Sequence, residues 1–434
     1  MIDRERFHMQ IHLITMGCSK NLVDSEVLKG GLEKAGLELT PDPLEADTII
    51  INTCGFIEEA REENIDVTLA VAELKKTGKL QQLILIGCLS QIYERELREA
   101  IPEVDAFFGV DKMQEVIRYL SGDPTYTYDP VAVRSLMTPR HYAYLKISEG
   151  CNNRCSFCSI PIIRGPQKSR TVDTILRESR HLIQMGVKEI ILIAQDSTMY
   201  GRDLSPRVTL TELLKEMEGL DIPWIRLHYG HPAHIPPGLF EHMAHSERIV
   251  PYLDLPIQHI NSRILKLMQR GQNSEGIRKV LEKARNTIPN VTMRTTLITG
   301  YPTETESEFE EMLEFVRSFR FDRLGVFKYS REDYTPAAYI PDDVPDYIKS
   351  ARYDAILSLQ QEISLMKNRE KIGTTQKILI DTVNQETGVS FGRTEGDSPD
   401  IDNQVIIDSL LTEGCFYDVT ITDASEYDLT GKLG

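Results

Sequence analysis

Short apolar runs that alternate with segments of helical period constrain this chain more than any other feature. IHLIT (11–15), DTIII (47–51) and QLILI (82–86) open the series, each followed by a helix candidate such as SEVLKGGLEKAG (25–36) or EEAREENIDVTLAVAELKKTG (58–78), which Gly36 and Gly78 would end. Apolar strands separated by helices predict a parallel sheet covered on both faces. SGDPTYTYDPVAVRSLMTPR (121–140) is rich in proline and polar residues, has no clean period, and reads as a linker. The alternation then resumes with YAYLKIS (142–148), EIILIA (189–194), IRLHY (225–229), YLDLPIQ (252–258), TMRTTLIT (292–299) and RLGVFKY (323–329). Six such units predict an incomplete, partial (β/α)6 barrel, closed by a long helix over 346–373. From 374 onward KILIDTV, NQVIID and FYDVTIT lie between Gly, Asp and Ser turns, the pattern of a small antiparallel β-barrel. The expected architecture is α/β and multidomain, with domains at 9–125, 137–367 and 371–434.

Bulk properties narrow the function. A chain of 434 residues exceeds one ordinary core, and 41% apolar with 26% charged residues describes a folded soluble protein. The opening MIDRERFHMQ is charged where a signal segment is apolar, and no run approaches the roughly 18 apolar residues of a membrane span. A cytoplasmic protein without a membrane partner is expected. The formal net charge of -17 suits basic partners better than a broad grip on phosphates. Seven cysteines, odd in number and unevenly spaced, point to metal ligation or catalysis rather than a disulfide framework.

The densest cysteine cluster is EGCNNRCSFCSIP, where Cys151, Cys155 and Cys158 follow the apolar run YLKIS in a C-x3-C-x2-C arrangement. One loop with this spacing can wrap three corners of a cubane. A four-iron cluster usually takes four cysteines, so three leave one iron for a non-protein ligand, a place that can hold the amine and carboxylate of S-adenosylmethionine. A structural zinc site would want four ligands, commonly two C-x2-C pairs, and no second pair is present. The motif resembles that of the radical enzymes in which cluster-driven cleavage of S-adenosylmethionine yields a 5'-deoxyadenosyl radical. Phe157 is then placed to pack on the adenine.

Cys18, Cys54 and Cys88 form a second pattern, each just past the carboxyl end of a strand candidate in HLITMGC, DTIIINTC and LILIGC. Those ends share one edge of a parallel sheet, where ligands collect. A single such cysteine reads as an ordinary buried thiol, but three at equivalent positions argue for convergence on a second cluster, with Gly17, Gly55 and Gly87 allowing close backbone approach. Cys415 has no partner nearby in the sequence and reads as structural.

Taken together, the residues resemble the radical methylthiotransferases over essentially the whole chain: a three-cysteine domain, a C-x3-C-x2-C radical SAM barrel and a terminal TRAM domain. GCSKNLVDSE (17–26), NTCGFIEEAREENI (52–65) and YLKISEGCNNRCSFCSIPIIRGPQKSR (144–170) are similar to the branch that methylthiolates an aspartate of ribosomal small-subunit protein S12. The resemblance implies two [4Fe-4S] clusters, an auxiliary one on Cys18, Cys54 and Cys88 and a radical one on Cys151, Cys155 and Cys158. It also implies two uses of S-adenosylmethionine: one donates a methyl group to sulfur on the auxiliary cluster, and the other supplies the radical that takes hydrogen from the aspartate β-carbon. An electron donor and a sulfur source are implied as partners.

Gln195, Asp196, Gln258, Arg294 and Gly300 of the GYPTET turn lie near carboxyl ends of strand candidates and are candidate S-adenosylmethionine contacts; strand-end capping and salt bridging explain each singly as well. Thr303 stands in that turn where many relatives would carry glycine. His228, His231 and His234 suggest a metal site, but with iron already supplied with thiols they read as structural or substrate-shaping. The rival substrate is tRNA, modified by an adenosine methylthiotransferase of the same family. Residues 371–434 carry four cations against twelve carboxylates, a formal -8, which suits a basic ribosomal protein and makes nucleic acid a poor direct substrate. A non-catalytic iron-sulfur electron carrier would complete its ligation with protein side chains, whereas both sites here count three thiols.

Overall fold

The computed structural model describes residues 9–434; most of the charged opening segment MIDRERFHMQ lies outside the described residues. The first unit is a five-stranded sheet ordered β2-β1-β3-β4-β5, parallel throughout, built from β1 (Gln10–Thr15), β2 (Glu38–Leu39), β3 (Thr48–Thr53), β4 (Gln82–Gly87) and β5 (Ala106–Phe108). Helices α1 (Ser19–Lys34), α2 (Glu58–Thr77) and α3 (Cys88–Ala100) follow β1, β3 and β4. β3 is buried at every position, as a central strand covered on both faces must be. Gly36 takes a left-handed φ of 77° just past α1, and Gly78 caps α2 in extended conformation.

After α4 (Met113–Ser121) the stretch read as a linker is not a loose connection. It contains α5 (Pro130–Val133), buries Val131 and Val133, and sets Arg134 in full burial between Glu26 and Glu178. A Cβ on Gly30 of α1 would stand 1.4 Å from the Val133 carbonyl oxygen, so the segment lies directly against α1. Proline and tyrosine there serve a non-periodic packing that no regular element announces.

Six strands then form a parallel sheet ordered β13-β12-β11-β10-β9-β6: β6 (Tyr142–Lys146), β9 (Glu189–Ile193), β10 (Trp224–Leu227), β11 (Ile249–Asp254), β12 (Thr292–Thr299) and β13 (Arg323–Lys328). Between β6 and β9 lie the small antiparallel pair β7 (Ser148–Glu149) and β8 (Lys168–Ser169) and the short helix α6 (Ile160–Arg164). The largest apolar core fills the space between these strands and their helices, including Asp346–Arg369. None of the helices among the described residues is long and apolar enough to cross a membrane.

The terminal unit is a closed barrel ordered β14-β15-β16-β18-β17, from β14 (Thr375–Asn384), β15 (Val389–Arg393), β16 (Gln404–Ile407), β17 (Phe416–Ala424) and β18 (Asp428–Leu433). One neighbouring pair, β16 with β18, is parallel; the other four are antiparallel. The connection 394–403 reaches back to the central sheet. Asp397 pairs with Arg323, Tyr252 donates to the Asp402 carboxylate at 2.7 Å, and Arg226 donates to the Glu395 carbonyl at 2.8 Å.

Candidate functional site

The first thiol triad forms because β1, β3 and β4 end side by side. Cys18 sits at the N-cap of α1, Cys54 follows β3, and Cys88 opens α3. The glycines beside them allow the loops to close on each other: a Cβ on Gly17 would stand 2.6 Å from that of Cys54, and one on Gly87 2.6 Å from the Thr53 carbonyl. Both have positive φ, 88° and 96°, conformations that favour glycine. Asn21 stitches the loops together, its amide donating to the Met16 and Thr53 carbonyls at 3.0 Å each while its oxygen lies 3.8 Å from the Cys88 sulfur. The Cys54 backbone N–H donates to Asn64 at 2.9 Å.

The second triad lies on the loop between β7 and α6. Cys151 N–H donates to the Gly165 carbonyl at 3.1 Å and Cys158 N–H to that of Cys155 at 3.2 Å, while the Asn153 N–H points at the Cys151 sulfur at 3.4 Å. Ser156 anchors the loop from below, bonding the Leu267 carbonyl and the Tyr301 hydroxyl. Arg270 approaches the Cys155 sulfur at 3.1 Å.

Arg164 joins the two triads. Rooted at the end of α6, six residues past Cys158, its guanidinium lies 3.5 Å from the Cys88 sulfur, donates to Asn21 at 2.6 Å, and pairs with Asp24 and Glu149. Lys146 meets the same two carboxylates. Despite burial, the charges of Lys146 and Arg164 hold the Glu149 carboxyl far below its usual range. This network, which motif spacing did not reveal, fixes the first sheet's loops against the central one.

Both triads fit iron-sulfur clusters. All six thiols are free. Burial pushes Cys151 up to about 11 and Cys88 and Cys158 up to about 12, so they are protonated thiols that would release protons on metal loading. Buried side-chain oxygens without protein partners include the hydroxyls of Ser19 and Ser159, each next in the chain to a triad cysteine, and those of Ser90 and Ser148 with Gln195 Oε1. Sulfurs on one tetrahedral zinc stand about 3.8 Å apart, given Zn–S bonds near 2.3 Å. Among the described residues, the set of three ligand atoms gathered within 4.8 Å is Asp196, His231 and His234, not either thiol triad.

That trio is a hydrogen-bonded network. Asp196 accepts from Asn153, on the loop that carries Cys151, Cys155 and Cys158, and from His234, both at 2.8 Å, and from the Thr198 N–H at 3.0 Å. His231 Nδ1 accepts from the Ala233 N–H at 3.1 Å, and burial with the Arg270 charge pushes His231 down to about 3, so it is neutral. His228 lies apart, fully buried against Tyr252 and bonded to Ser398 at 2.9 Å.

The remaining sequence candidates scatter around the carboxyl ends of the sheet. Gln195 donates to Glu149 at 2.6 Å. Phe157 packs against the apolar cluster containing Met268, Ile298 and Tyr301. Gln258 has a φ of 71° and its backbone pairs with β12. Arg294 pairs with Asp254 and, at 3.5 Å, with Asp402. Gly300, at φ 70°, donates to Glu304 at 2.7 Å. Thr303 has a left-handed φ of 68°, costly for a β-branched residue, and is held there by Asp343 on its N–H and Arg263 on its hydroxyl. Cys415 is exposed and far from both triads in sequence.

Comparison with known proteins finds three family models matched along the chain. Residues 10–109 match the model of the uncharacterized protein family UPF0004, 145–316 that of the radical SAM superfamily, and 372–433 that of the TRAM domain. The ribosomal protein uS12 methylthiotransferase RimO of Prosthecochloris aestuarii is 45% identical over 98% of this chain and 98% of its own length. Those of Chlorobium phaeobacteroides, at 46% over 98% and 96%, and Bacteroides thetaiotaomicron, at 45% over 98% of each, are similar. The solved radical S-adenosylmethionine methyltransferase TsrM of Kitasatospora setae shares the fold, with a TM-score of 0.54 at 14% identity over 76% of this chain and 77% of that one.

Proposed function

Because the chain belongs to the family of the ribosomal protein uS12 methylthiotransferases, we propose that it attaches a methylthio group to the β-carbon of an aspartate in uS12. The observation that carries this reading is the pair of free-thiol triads on neighbouring sheet edges, bridged by Arg164. Cys151, Cys155 and Cys158 would hold the cluster that binds S-adenosylmethionine, and Cys18, Cys54 and Cys88 the auxiliary one. When bound, these groups supply hydrogen-atom abstraction from carbon and a methylated sulfur to replace the hydrogen.

The protein's own part is positional. Asn21, Arg164 and the Asp24, Lys146 and Glu149 ion network hold the two cysteine loops at a fixed separation, which a transfer between them requires. Asp196 fixes Asn153 and with it the first turn of the radical loop. Gln195, Asp196, Gln258, Arg294 and Gly300 stand at the strand ends around that loop and would line the S-adenosylmethionine site. The terminal barrel turns seven exposed carboxylates, including Asp408, Asp418 and Asp423, toward solvent against exposed Lys377 and Lys432, which favours the approach of a basic protein over a polyanion. A one-electron donor and a sulfur source would be separate partners.

The test uses anaerobically reconstituted enzyme, reductant, S-adenosylmethionine and purified uS12. A methylthio mass increment on one aspartate, with 5'-deoxyadenosine formed and both absent in Cys155→Ala, is the expected result. A methylthio mark on tRNA with none on uS12 would overturn the substrate assignment.

A further inference from the structure

Lys20 lies in the first turn of α1, two residues past Cys18, and is 8% exposed. A buried ammonium without an anion is costly, and such groups are normally paired. Of the nine lysines and arginines buried to this degree among the described residues, eight meet a carboxylate or, for Arg270, the sulfur of Cys155. Lys20 meets neither. Its Nζ stands 3.0 Å from the centre of the Tyr229 ring, a cation–π contact that offsets part of the cost, and no protein oxygen among the described residues accepts its N–H donors, which are left to water or a ligand.

The place of this ammonium matters as much as its isolation. Its neighbours Cys18 and Asn21 belong to the auxiliary triad and its bracing. Tyr229 belongs to the other half of the site: it follows β10 with a left-handed φ of 59°, its carbonyl accepts from the Ser197 N–H at 2.9 Å, and Ser197 adjoins the Asp196 that holds the radical loop. Lys20 therefore reaches from the helix that opens at Cys18 to the strand end whose neighbours brace the loop of Cys151, Cys155 and Cys158. In an aspartate the carboxylate is bonded directly to the β-carbon, so whatever grips the carboxylate sits beside the reacting carbon. That carbon must lie between the hydrogen-abstracting and sulfur-bearing sites.

We propose that the Lys20 ammonium is the subsite for the side-chain carboxylate of the target aspartate, and so a determinant of protein over RNA substrates; the inference rests on the uS12 reading above. The bound carboxylate supplies the missing anion, in a charge-assisted bond of about 2.8 Å. S-adenosylmethionine also carries a carboxylate, so the experiment must separate the two sources.

Holoenzyme and its Lys20→Met and Lys20→Arg variants are compared for KM toward uS12, Kd for S-adenosylmethionine, and the electron paramagnetic resonance signals of both clusters. We expect Lys20→Met to raise the KM for uS12 at least tenfold, Lys20→Arg to recover part of it, and the Kd for S-adenosylmethionine and both signals to stay as in the parent. The parent enzyme should lose a similar factor on uS12 whose target aspartate is replaced by asparagine, and Lys20→Met should add little to that loss. The asparagine arm needs no enzyme variant and so stands even if a Lys20 variant misfolds. A weakened Kd for S-adenosylmethionine with unchanged KM would assign the ammonium to the cosubstrate instead. An altered auxiliary signal would make it a support for that cluster, and equal loss on aspartate and asparagine substrates would remove the carboxylate contact; each of these outcomes overturns the proposal. If the parent does not modify uS12 at all, the functional reading fails first, and that result is read separately from the Lys20 comparison.

Discussion

Asn21 shows how one buried amide organises a site assembled from three loops. Its side chain is wholly buried and holds the Met16 and Thr53 carbonyls and Arg164 together. In Asn21→Ala those groups lose their partner at a cost of about 1–3 kcal/mol each, though not additively, and the loops carrying Cys18 and Cys54 lose their common tie. The radical loop is anchored elsewhere, through Ser156 and Asn153, so the expected product of reconstitution holds roughly half the parent's iron, one cluster in place of two. Iron and sulfide analysis checks this, and full loading would show that the thiols gather without the amide. The cysteines were legible in the sequence because each ends an apolar strand run, a local signal. Asn21, Lys20 and Arg164 were not, since a polar residue acquires its role only from its partners: Arg164 finds Asn21 across 143 positions.

Elements were legible in proportion to how continuously they are buried. β3, β4 and β9 read directly from DTIII, QLILI and EIILI because a strand covered on both faces needs apolar residues throughout. β18, DLTGKL, went unread because within the small barrel it buries only Leu429 and Gly431, too little apolar content to mark a strand. IRLHY predicts a strand through Tyr229, whereas β10 stops at Leu227 and Tyr229 turns left-handed at φ 59°. The stretch 121–140 failed in the opposite sense, since its order comes from packing on α1 rather than from any period of its own. That packing makes a sharp prediction at Gly30. Replacing glycine by alanine inside a helix ordinarily stabilises by about 1 kcal/mol. Here the new methyl would stand 1.4 Å from the Val133 oxygen, an overlap that forces α5 off α1 and costs about 1–3 kcal/mol or more. Gly30→Ala is therefore expected to lower the thermal midpoint and expose 126–137 to protease; a raised midpoint would refute this contact.

At the scale of the molecule, the terminal barrel is fastened to the central sheet by charges that neither segment announces alone. Twelve carboxylates in residues 371–434 suggested an acidic surface, yet Asp381, Asp397 and Asp402 turn inward to Arg393, Arg323 and Arg294. The partners lie on strands far upstream or across the barrel, so charge counting along the chain overstates what a docking protein meets. Asp397 is the clearest of these ties. Burial pushes its carboxyl up, but the Arg323 charge, helped by Lys371 and the Thr394 hydroxyl, overrides that and holds it down to about 2. An unfolded aspartate titrates near 3.9. Because the folded value is the lower one, the pairing stabilises the fold fully above pH ~4 and loses that contribution as pH falls through about 2. Holding the carboxyl from near 3.9 down to about 2 corresponds to on the order of 2–3 kcal/mol. Asp397→Asn removes the charge and with it this pH-linked term. The gap in urea stability between parent and variant should therefore be constant from pH 7 to about 5 and shrink between about 4 and 2. A gap that stays constant across that lower window would mean that the Arg323 pair does not carry the attachment of the barrel.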